Sequence, residues 1–328
     1  MDAGALGRQV IARDRAAIAR ALNLVEDRRP SARADQRALM RAIAGAPRAR
    51  VIGVTGPPGA GKSTLCAAIA RALRARDESV GVVAVDPSSE KSGGALLGDR
   101  VRIVGDTPDP KLFVRSLAAG GELGGLARAA PACIEVLAAA TDVVLVETVG
   151  VGQSEIDVAN VADVTIVVVQ PSSGDALQFL KAGIFEIPDV IVIGKSDLGD
   201  VARRAQSDLA HALGVGRGAG LYVDGAAAKV VLASGATHEG VDALLLAVDA
   251  ALTSLRASGE LTRRRKNGSI SRAITVVERR VGELGVDALG GPDALAERIA
   301  RALEVGAPPL EVAEQMVDEA IASLRPPR

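Results

Sequence analysis

Hydrophobic residues follow two different periodicities along the chain, and each predicts a different kind of element. From Arg50 onward, short runs rich in Val and Ile alternate with helical stretches. These runs are almost continuously apolar, which is typical of parallel strands covered by helices on both faces. We therefore predict an α/β fold with a doubly wound, mostly parallel sheet. Its strands are expected at 51–55, 80–86, 142–148, 164–170, 190–195 and 230–234.

Both ends of the chain show helical periodicity instead. Apolar residues recur at three- and four-residue steps before Arg50, which predicts two packed helices. Acidic residues among the arginines there argue against a mitochondrial presequence. After Ser254, a basic cluster at 263–266, expected to be a solvated helix start, leads into further helical patterns at 269–284, 293–303 and 308–324. The predicted division is an N-terminal helical segment, an α/β domain and a C-terminal helical arm, at 1–49, 50–258 and 259–328.

Composition and charge exclude several classes of protein. The formal net charge is −1, and the chain has only four aromatic residues, so a nucleic-acid partner is not expected. Mean hydropathy is +0.24, yet every long apolar stretch contains a charge or a helix breaker, so no membrane span is expected. Two cysteines and two histidines disfavour a disulfide framework and a Cys/His zinc site. We expect a soluble, cytoplasmic protein.

The phosphate-binding pattern G-x-x-x-x-G-K-[ST] stands directly after the first predicted strand and before a helical stretch. The loop and the residue that follows it are Gly56, Pro57, Pro58, Gly59, Ala60, Gly61, Lys62, Ser63 and Thr64. The glycines let backbone N–H groups turn toward a β-phosphate, and the helix N-terminus adds partial positive charge. Lys62 is predicted to reach the β- and γ-phosphates, and the Ser63 hydroxyl to bind Mg²⁺. The loop predicts a sheet of the P-loop NTPase type.

Acidic residues at or after two of the predicted strands are candidates for catalysis and, with Ser63, for the metal. Asp86 ends one strand, Asp99 lies in the Gly-rich stretch after it, and Glu147 stands at the end of another. Phosphoryl transfer depends on positioning and charge, so these carboxylates can hold metal-bound water or orient the attacking water. Gly150 can offer its N–H to the γ-phosphate, so that its loop is released when that phosphate leaves. A turn residue remains the alternative for Asp86, and Asp99 taken alone is undecided.

Two later loops are predicted to select the base. Lys195 and Asp197 stand where GTPases place N-K-x-D, so Asp197 can accept from guanine N1 and N2 hydrogens while the Lys195 stem lies over the ring. Gly194 stands at the Asn position, so we expect weaker affinity or relaxed specificity, not a switch to ATP. A backbone N–H is expected to meet guanine O6 in the loop formed by Ser234, Gly235 and Ala236. The alternative is two polar loops without any base contact.

Together these motifs resemble the MeaB/ArgK family of P-loop GTPases over most of the chain. The resemblance rests on the phosphate loop, V-D-P-S-S with Gly98-Asp99, V-E-T-V-G-V-G-Q-S-E at 146–155 and G-D-A-L-Q at 174–178. It implies a Mg²⁺-dependent GTPase, binding GTP and GDP, that gates adenosylcobalamin delivery to a cobalamin-dependent acyl-CoA mutase of the methylmalonyl-CoA mutase type and protects that enzyme. It also implies a homodimer formed through the C-terminal arm, and mobile switches at 86–99, 150–157 and around 174–181.

Other functions remain as alternatives. A kinase or ATPase linked to amino-acid (arginine/ornithine) transport would need a phosphoacceptor pocket, which the sequence does not reveal. A nickel-insertion GTPase would carry His-rich or Cys/His motifs, whereas His211 and His238 are isolated. A nucleotide-binding scaffold without significant hydrolysis would differ from a GTPase in turnover and not in binding.

Overall fold

The computed structural model of the protein describes residues 2–86, 109–118, 127–148, 158–171, 188–212, 222–223, 226–227 and 229–324. Within these residues the strands are β1 (Arg50–Thr55), β2 (Val80–Asp86), β3 (Leu112–Ala118), β4 (Val143–Glu147), β5 (Val164–Val169), β6 (Val190–Ile193), β7 (Tyr222–Val223), β8 (Ala226–Ala227) and β9 (Lys229–Leu232). β7 and β8 form a separate antiparallel ribbon, and the other strands form one sheet.

Helices flank this sheet and make up both ends of the described chain. They are α1 (Ala3–Ile11), α2 (Arg15–Glu26), α3 (Arg33–Ile43), α4 (Lys62–Ala75), α5 (Ala130–Ala138), α6 (Asp200–Ala212), α7 (Val241–Ala257), α8 (Glu260–Ala288), α9 (Gly291–Glu304) and α10 (Pro309–Ser323). Gly282 interrupts α8 with non-helical backbone angles. None of the helices described here has the length and apolarity needed to cross a bilayer.

The large sheet is parallel throughout, with strand order β3-β2-β4-β1-β5-β6-β9. β1 lies in the middle, where Val54 is in register with Glu147 of β4 and with Ile166 of β5. Because parallel strands share one carboxyl edge, the loops that follow β1, β4 and β6 meet at the same edge. The predicted doubly wound sheet of the P-loop type is confirmed.

Successive residues of one strand pack into different helical layers. In β5, Ile166 and Val168 belong to a core shared with α4 and α7, whereas Val167 and Val169 pack with α6. A strand buried on both faces has no polar positions to alternate with its apolar ones. This burial explains why the central strands are continuous runs of Val and Ile.

β3 is an edge strand that the sequence pattern did not predict. Leu112 and Leu117 are buried, but the four residues between them are only half-buried. β3 pairs with β2 along its length, from Val80 opposite Leu112 to Asp86 opposite Ala118. Half-buried edge positions do not need continuous Val or Ile, so the apolar signal used for the central strands is weak here.

The N-terminal segment contains three helices where two were predicted. Aspartates cap the first two, since Asp2 accepts from Ala5 N at 2.9 Å and Asp14 accepts from Ala17 N at 2.6 Å. Pro30 opens a short 3₁₀ turn that leads into α3. Caps and a proline divide one apolar periodicity into separate helices.

The described chain divides into two compact units, one running from Arg48 to Leu261 and the other combining residues up to Pro47 with residues from Thr262 onward. In the second unit, the buried Glu314 carboxylate lies 3.1 Å from Arg37 and 3.3 Å from Arg280. The three-segment division stays a prediction.

α8 begins at Glu260, so the basic cluster at 263–266 lies in its first turns instead of before a helix starting at 269. This cluster is in the same unit as α3 and α10, where Arg41 donates to Glu311 and lowers the pKa of that carboxyl group. Charged side chains thus connect helices from the two ends of the chain within one unit.

Candidate nucleotide-binding site

The phosphate loop leaves β1 in close contact with β5. Gly56 has φ +137°, and a Cβ added there would lie 2.2 Å from the Val168 carbonyl oxygen, so only glycine fits. Ala60 N donates to the Pro57 carbonyl at 3.2 Å, which closes a turn inside the loop. Gly61, with φ +88°, is the N-cap of α4 and provides no side-chain cap. The first-turn N–H groups of α4 therefore follow a cap that leaves them available for an anionic ligand.

Lys62 folds back over its own loop. Its side chain is largely buried, with 7% of the residue exposed, and its Nζ donates to the Gly56 carbonyl at 2.8 Å and to the Pro57 carbonyl at 3.0 Å. Those carbonyls hold the ammonium group at the centre of the loop. A phosphate entering the loop would meet a positive charge that is already positioned.

Ser63 and Glu147 meet beside the loop. Ser63 Oγ donates to Glu147 Oε1 at 2.5 Å, and Glu147 is 5% exposed at the end of β4. Register places Glu147 opposite Val54, close to where β1 enters the loop. The two residues are 84 positions apart in sequence, and the sheet brings them into hydrogen-bonding contact.

The donor set at this point fits Mg²⁺. A hydroxyl and a carboxylate offer hard oxygen ligands, and Mg²⁺ is commonly held by one or two such groups together with water and substrate phosphates. Among the residues whose positions are described, no group of three or more His, Cys, Asp or Glu side chains could hold a metal. The described residues thus match a partial oxygen site that a phosphate substrate completes, and not a self-contained metal cage.

The other predicted phosphate-side residues are described only in part. Asp86 is the last residue of β2, beside β4, so its backbone lies at the same carboxyl edge as Glu147. The Asp86 side chain, Asp99 and Gly150 lie outside the described residues. The segments predicted to act as switches also lie there, apart from the backbone of Asp86. Their roles stay predictions.

The two predicted base loops lie together at the same edge. Ser234 Oγ donates to Asp197 Oδ1 at 2.6 Å, while Ala236 N and Thr237 N both donate to Ser234 Oγ at 3.2 Å. Ser234 is 1% exposed, whereas Asp197 is exposed. The buried hydroxyl therefore fixes an accessible carboxylate, which is the arrangement that reading a base edge requires.

Both base loops also contact the phosphate-loop region. The Gly194 backbone lies against Ala60, and the Gly235 backbone lies against Thr64 at the start of α4. Lys195 has a left-handed backbone with φ 55° and ψ 46°, and the 3₁₀ turn that carries Asp197 follows it directly. The structure thus places all the predicted loop residues that it describes around one edge of the sheet.

Sequence reasoning missed some polar contacts at this edge. Gln170 Nε2 donates to the Pro58 carbonyl at 3.3 Å, and Thr148 Oγ1 donates to Thr55 Oγ1 at 3.0 Å. These side chains lie at or just after the ends of β1, β4 and β5. Their positions at the carboxyl ends of predicted strands could therefore have identified these residues from the sequence.

Comparisons with known proteins identify the family to which the chain belongs. The family model described as "Methylmalonyl Co-A mutase-associated GTPase MeaB" matches residues 18–288. A relative from Pyrococcus abyssi, named as a GTPase, is 47% identical over 185 residues, which is 56% of this chain and 56% of that relative. A relative from Caulobacter vibrioides, also named as a GTPase, is 41% identical over 247 residues, covering 74% of this chain and 75% of that one.

A solved structure of a protein described as a "LAO/AO transport system kinase" is 29% identical, with a TM-score of 0.68, and covers 98% of this chain and 97% of that one. The aligned part of this chain spans little more than half the length of the Pyrococcus relative. The family model, in contrast, spans most of this chain. The resemblance inferred from the motifs is confirmed, and the chain belongs to the MeaB family of methylmalonyl Co-A mutase-associated GTPases.

Proposed function

We propose that this protein is a Mg²⁺-dependent GTPase that serves a cobalamin-dependent acyl-CoA mutase of the methylmalonyl-CoA mutase type, gating adenosylcobalamin delivery and protecting the mutase. The observation that carries the nucleotide chemistry is the 2.5 Å contact between Ser63 and Glu147 beside the phosphate loop. The partner is supported by the description of the matching family, which names the mutase.

Lys62 supplies the positive charge for the β- and γ-phosphates. Its ammonium group already lies within the loop, on the Gly56 and Pro57 carbonyls, so binding exchanges these acceptors for phosphate oxygens. Hydrogen bonds between charged partners are stronger than those to neutral carbonyls. The exchange therefore favours a bound nucleotide over the empty loop.

Ser63 and Glu147 would hold the metal. Mg²⁺, when bound, neutralises charge that develops on the transferring phosphoryl group. The Ser63 oxygen would provide one ligand, and the Glu147 carboxylate would accept a hydrogen bond from Ser63 or from a metal-bound water. Because Glu147 is largely buried, its charge is only weakly screened by solvent.

Asp197 and the 234–236 loop would read guanine. The Asp197 carboxylate accepts the N1 and N2 hydrogens, which adenine does not present in that arrangement, and Lys195 covers the ring. A backbone N–H of the Ser234, Gly235 and Ala236 loop meets O6. Guanine selectivity then depends on one carboxylate held by one buried hydroxyl.

Further parts of the proposal rest on the family resemblance. Asp86 and Asp99 would join the metal and catalytic site, Gly150 would sense the γ-phosphate, and the C-terminal arm would form a homodimer. A cytoplasmic location is proposed on the same basis.

The direct test measures steady-state phosphate release from GTP and from ATP with Mg²⁺, each with and without purified methylmalonyl-CoA mutase. We expect GTP-selective release that the mutase changes, and no release above background by the matched Lys62→Ala variant. GTP release that is indifferent to the mutase would remove the partner from the proposal but keep the GTPase. Equal use of ATP would overturn the assignment of the base loops.

A kinase of amino-acid transport is the second candidate, favoured by the similarity to the solved transport system kinase, which covers 98% of this chain. A kinase transfers the γ-phosphoryl group to an acceptor instead of water. The same reactions run with γ-labelled nucleotide and a substrate-binding transport protein distinguish the two functions. Label recovered only as inorganic phosphate supports the GTPase, and label on the added protein supports the kinase.

A further inference from the structure

We propose that Gly194 and Gly235 are positioning residues that fix the base-reading loops against the phosphate loop by direct backbone contact, in place of a side-chain tether. The proposal rests on the proposed guanine-nucleotide function and names the residues that set its base selectivity. It arises from the distances that surround these two glycines in the structure.

Gly235 makes the closer of the two backbone contacts. A Cβ added at Gly235 would lie 2.6 Å from Leu65 N and 2.8 Å from the Thr64 carbonyl oxygen. These are backbone atoms at the start of α4, which cannot rotate away as a flexible side chain can. The loop that carries Ser234 is therefore seated directly on the helix that begins with Lys62.

Gly194 makes the matching contact from the other base loop. A Cβ added there would lie 3.0 Å from the Ala60 carbonyl oxygen and 3.2 Å from Val168 Cγ1. Gly194 N also donates to the Val169 carbonyl at 2.9 Å, which holds this position against β5. The strand-to-loop junction before Asp197 thus lies against the middle of the phosphate loop.

Close approach, and not backbone conformation, explains why glycine suits both positions. Neither Gly194 nor Gly235 has φ in the left-handed region, in contrast to Gly56 and Gly61. Their φ angles do not require glycine, so a side chain at either position would be disfavoured only by the atoms that it meets. The nearest of those atoms are the Ala60 carbonyl oxygen of the phosphate loop for Gly194, and backbone atoms of Thr64 and Leu65 at the start of α4 for Gly235.

The two contacts control where the reading carboxylate lies. Gly235 follows Ser234, whose hydroxyl holds Asp197 at 2.6 Å, so displacing Gly235 from α4 also displaces the group that positions Asp197. Gly194 lies three residues before Asp197 in the other loop. The covalent structure of a nucleotide limits the distance between the guanine edge and the phosphates, so the loops must keep a matching separation from the phosphate loop.

The test compares four alanine variants in their affinities for GDP and ADP with Mg²⁺. Gly7→Ala is the control for Gly235→Ala, because its Cβ would lie 2.5 Å from the Ala42 side chain in the other unit. Gly81→Ala is the control for Gly194→Ala, since its closest neighbour, Leu137, is also at 3.0 Å. Gly7 thus reproduces the crowding outside the unit that carries the base loops, and Gly81 reproduces it on β2, which is not adjacent to β6 or β9 in the sheet.

We expect Gly235→Ala to lower the ratio of GDP to ADP affinity about tenfold, the loss expected when one hydrogen bond to a charged group is broken. Gly194→Ala should lower it less, and the two controls should leave it unchanged even if they lower thermal stability. Equal losses for GDP and ADP in Gly235→Ala would overturn the proposal, because the contact would then support α4 and not the reading loops. Unchanged affinities for both nucleotides would overturn it as well.

Ser234→Ala keeps the proposal testable if Gly235→Ala does not fold. It removes the hydroxyl that holds Asp197 but leaves the contact between Gly235 and α4 in place, so the ratio of GDP to ADP affinity should fall. A ratio equal to that of the wild type would contradict positioning of Asp197 through this loop. If the wild-type protein binds no guanine nucleotide, the proposed function itself is wrong. If the wild-type protein binds GDP but the variants leave the ratio of GDP to ADP affinity unchanged, only this further proposal is wrong.

Discussion

The phosphate side and the base side of the candidate site are built in opposite ways. On the phosphate side, Lys62 donates to carbonyls five and six residues earlier, within one continuous loop. On the base side, Ser234 reaches Asp197 across 37 positions, and Gly235 is seated on Thr64 of the phosphate-loop helix. Contacts within one loop thus position the Lys62 charge, whereas tertiary contacts assemble the base side, as they do the Ser63–Glu147 pair beside the loop.

This difference determines how each half responds to change. Lys62 is held by carbonyls of its own loop and is expected to contact the phosphates that all nucleotides share, so a change there should affect every nucleotide alike. The base loops depend on the packing of several elements, so a change there should alter the preference between bases. We therefore expect purine selectivity and phosphate affinity to be separable by substitution.

Lys62→Ala should reduce nucleotide binding more than any other substitution, because it removes the cation of the phosphate loop. It removes the buried ammonium group, and nucleotide affinity should fall on the order of 100-fold or more because hydrogen bonds to charged groups contribute about 1.5–3 kcal/mol each. Calorimetric titration with GDP and ADP measures both losses. The losses should be equal, and wild-type affinity for either nucleotide would contradict the role of Lys62.

Glu147→Gln should weaken the metal site while preserving its shape. The amide can still accept from Ser63 Oγ, but the negative charge is lost, so phosphate release should fall about 10- to 100-fold, as for other groups that support a metal ligand. Release measured over a series of Mg²⁺ concentrations should show a higher half-saturating value. An unchanged Mg²⁺ dependence would remove Glu147 from the metal site.

Asp197→Ala should break only the base side. GTP affinity should fall at least about tenfold because hydrogen bonding to a charged carboxylate is lost, whereas ATP affinity should stay the same. Competition between GTP and ATP in the hydrolysis assay measures the preference. Gln206→Ala is a control on neighbouring α6, where the side chain contacts the Val230 carbonyl and no predicted nucleotide ligand.

Gly194→Asn tests whether a side-chain amide at this position adds to the base preference, and its effect should be smaller than those of the other variants. Relative to Gly194→Ala, which adds the same Cβ, the amide should raise GTP preference over ATP about 2- to 10-fold, the usual net contribution of one hydrogen bond. Comparing these two variants separates the amide from the crowding at Ala60. Identical ratios in both would show that this position is too far from the base or the loop to contribute through a side chain.

The sequence predicts the parts of this molecule whose signals are local. Continuous Val and Ile runs identify β1, β4, β5 and β6 because both faces of these strands are buried. β3 was not identified in this way because most residues of this edge strand are only half-buried and need not be Val or Ile.

The site divides along the same line. The phosphate loop is recognisable because its eight residues are contiguous, and Glu147 because it ends a buried strand. The contact of Gly235 with α4 is not recognisable in the sequence, because it joins residues that only the finished sheet brings together. Gln170 and its contact with Pro58 belong to the same class.

The most direct test of this account is a paired calorimetric titration of the wild-type protein with GDP and with ADP in the presence of Mg²⁺. We predict binding of both through the shared phosphate loop, with GDP at least about tenfold tighter, the margin that one hydrogen bond to a charged carboxylate supplies. Equal affinities would contradict the account, because Asp197 and its buried support at Ser234 would then not be reading the base.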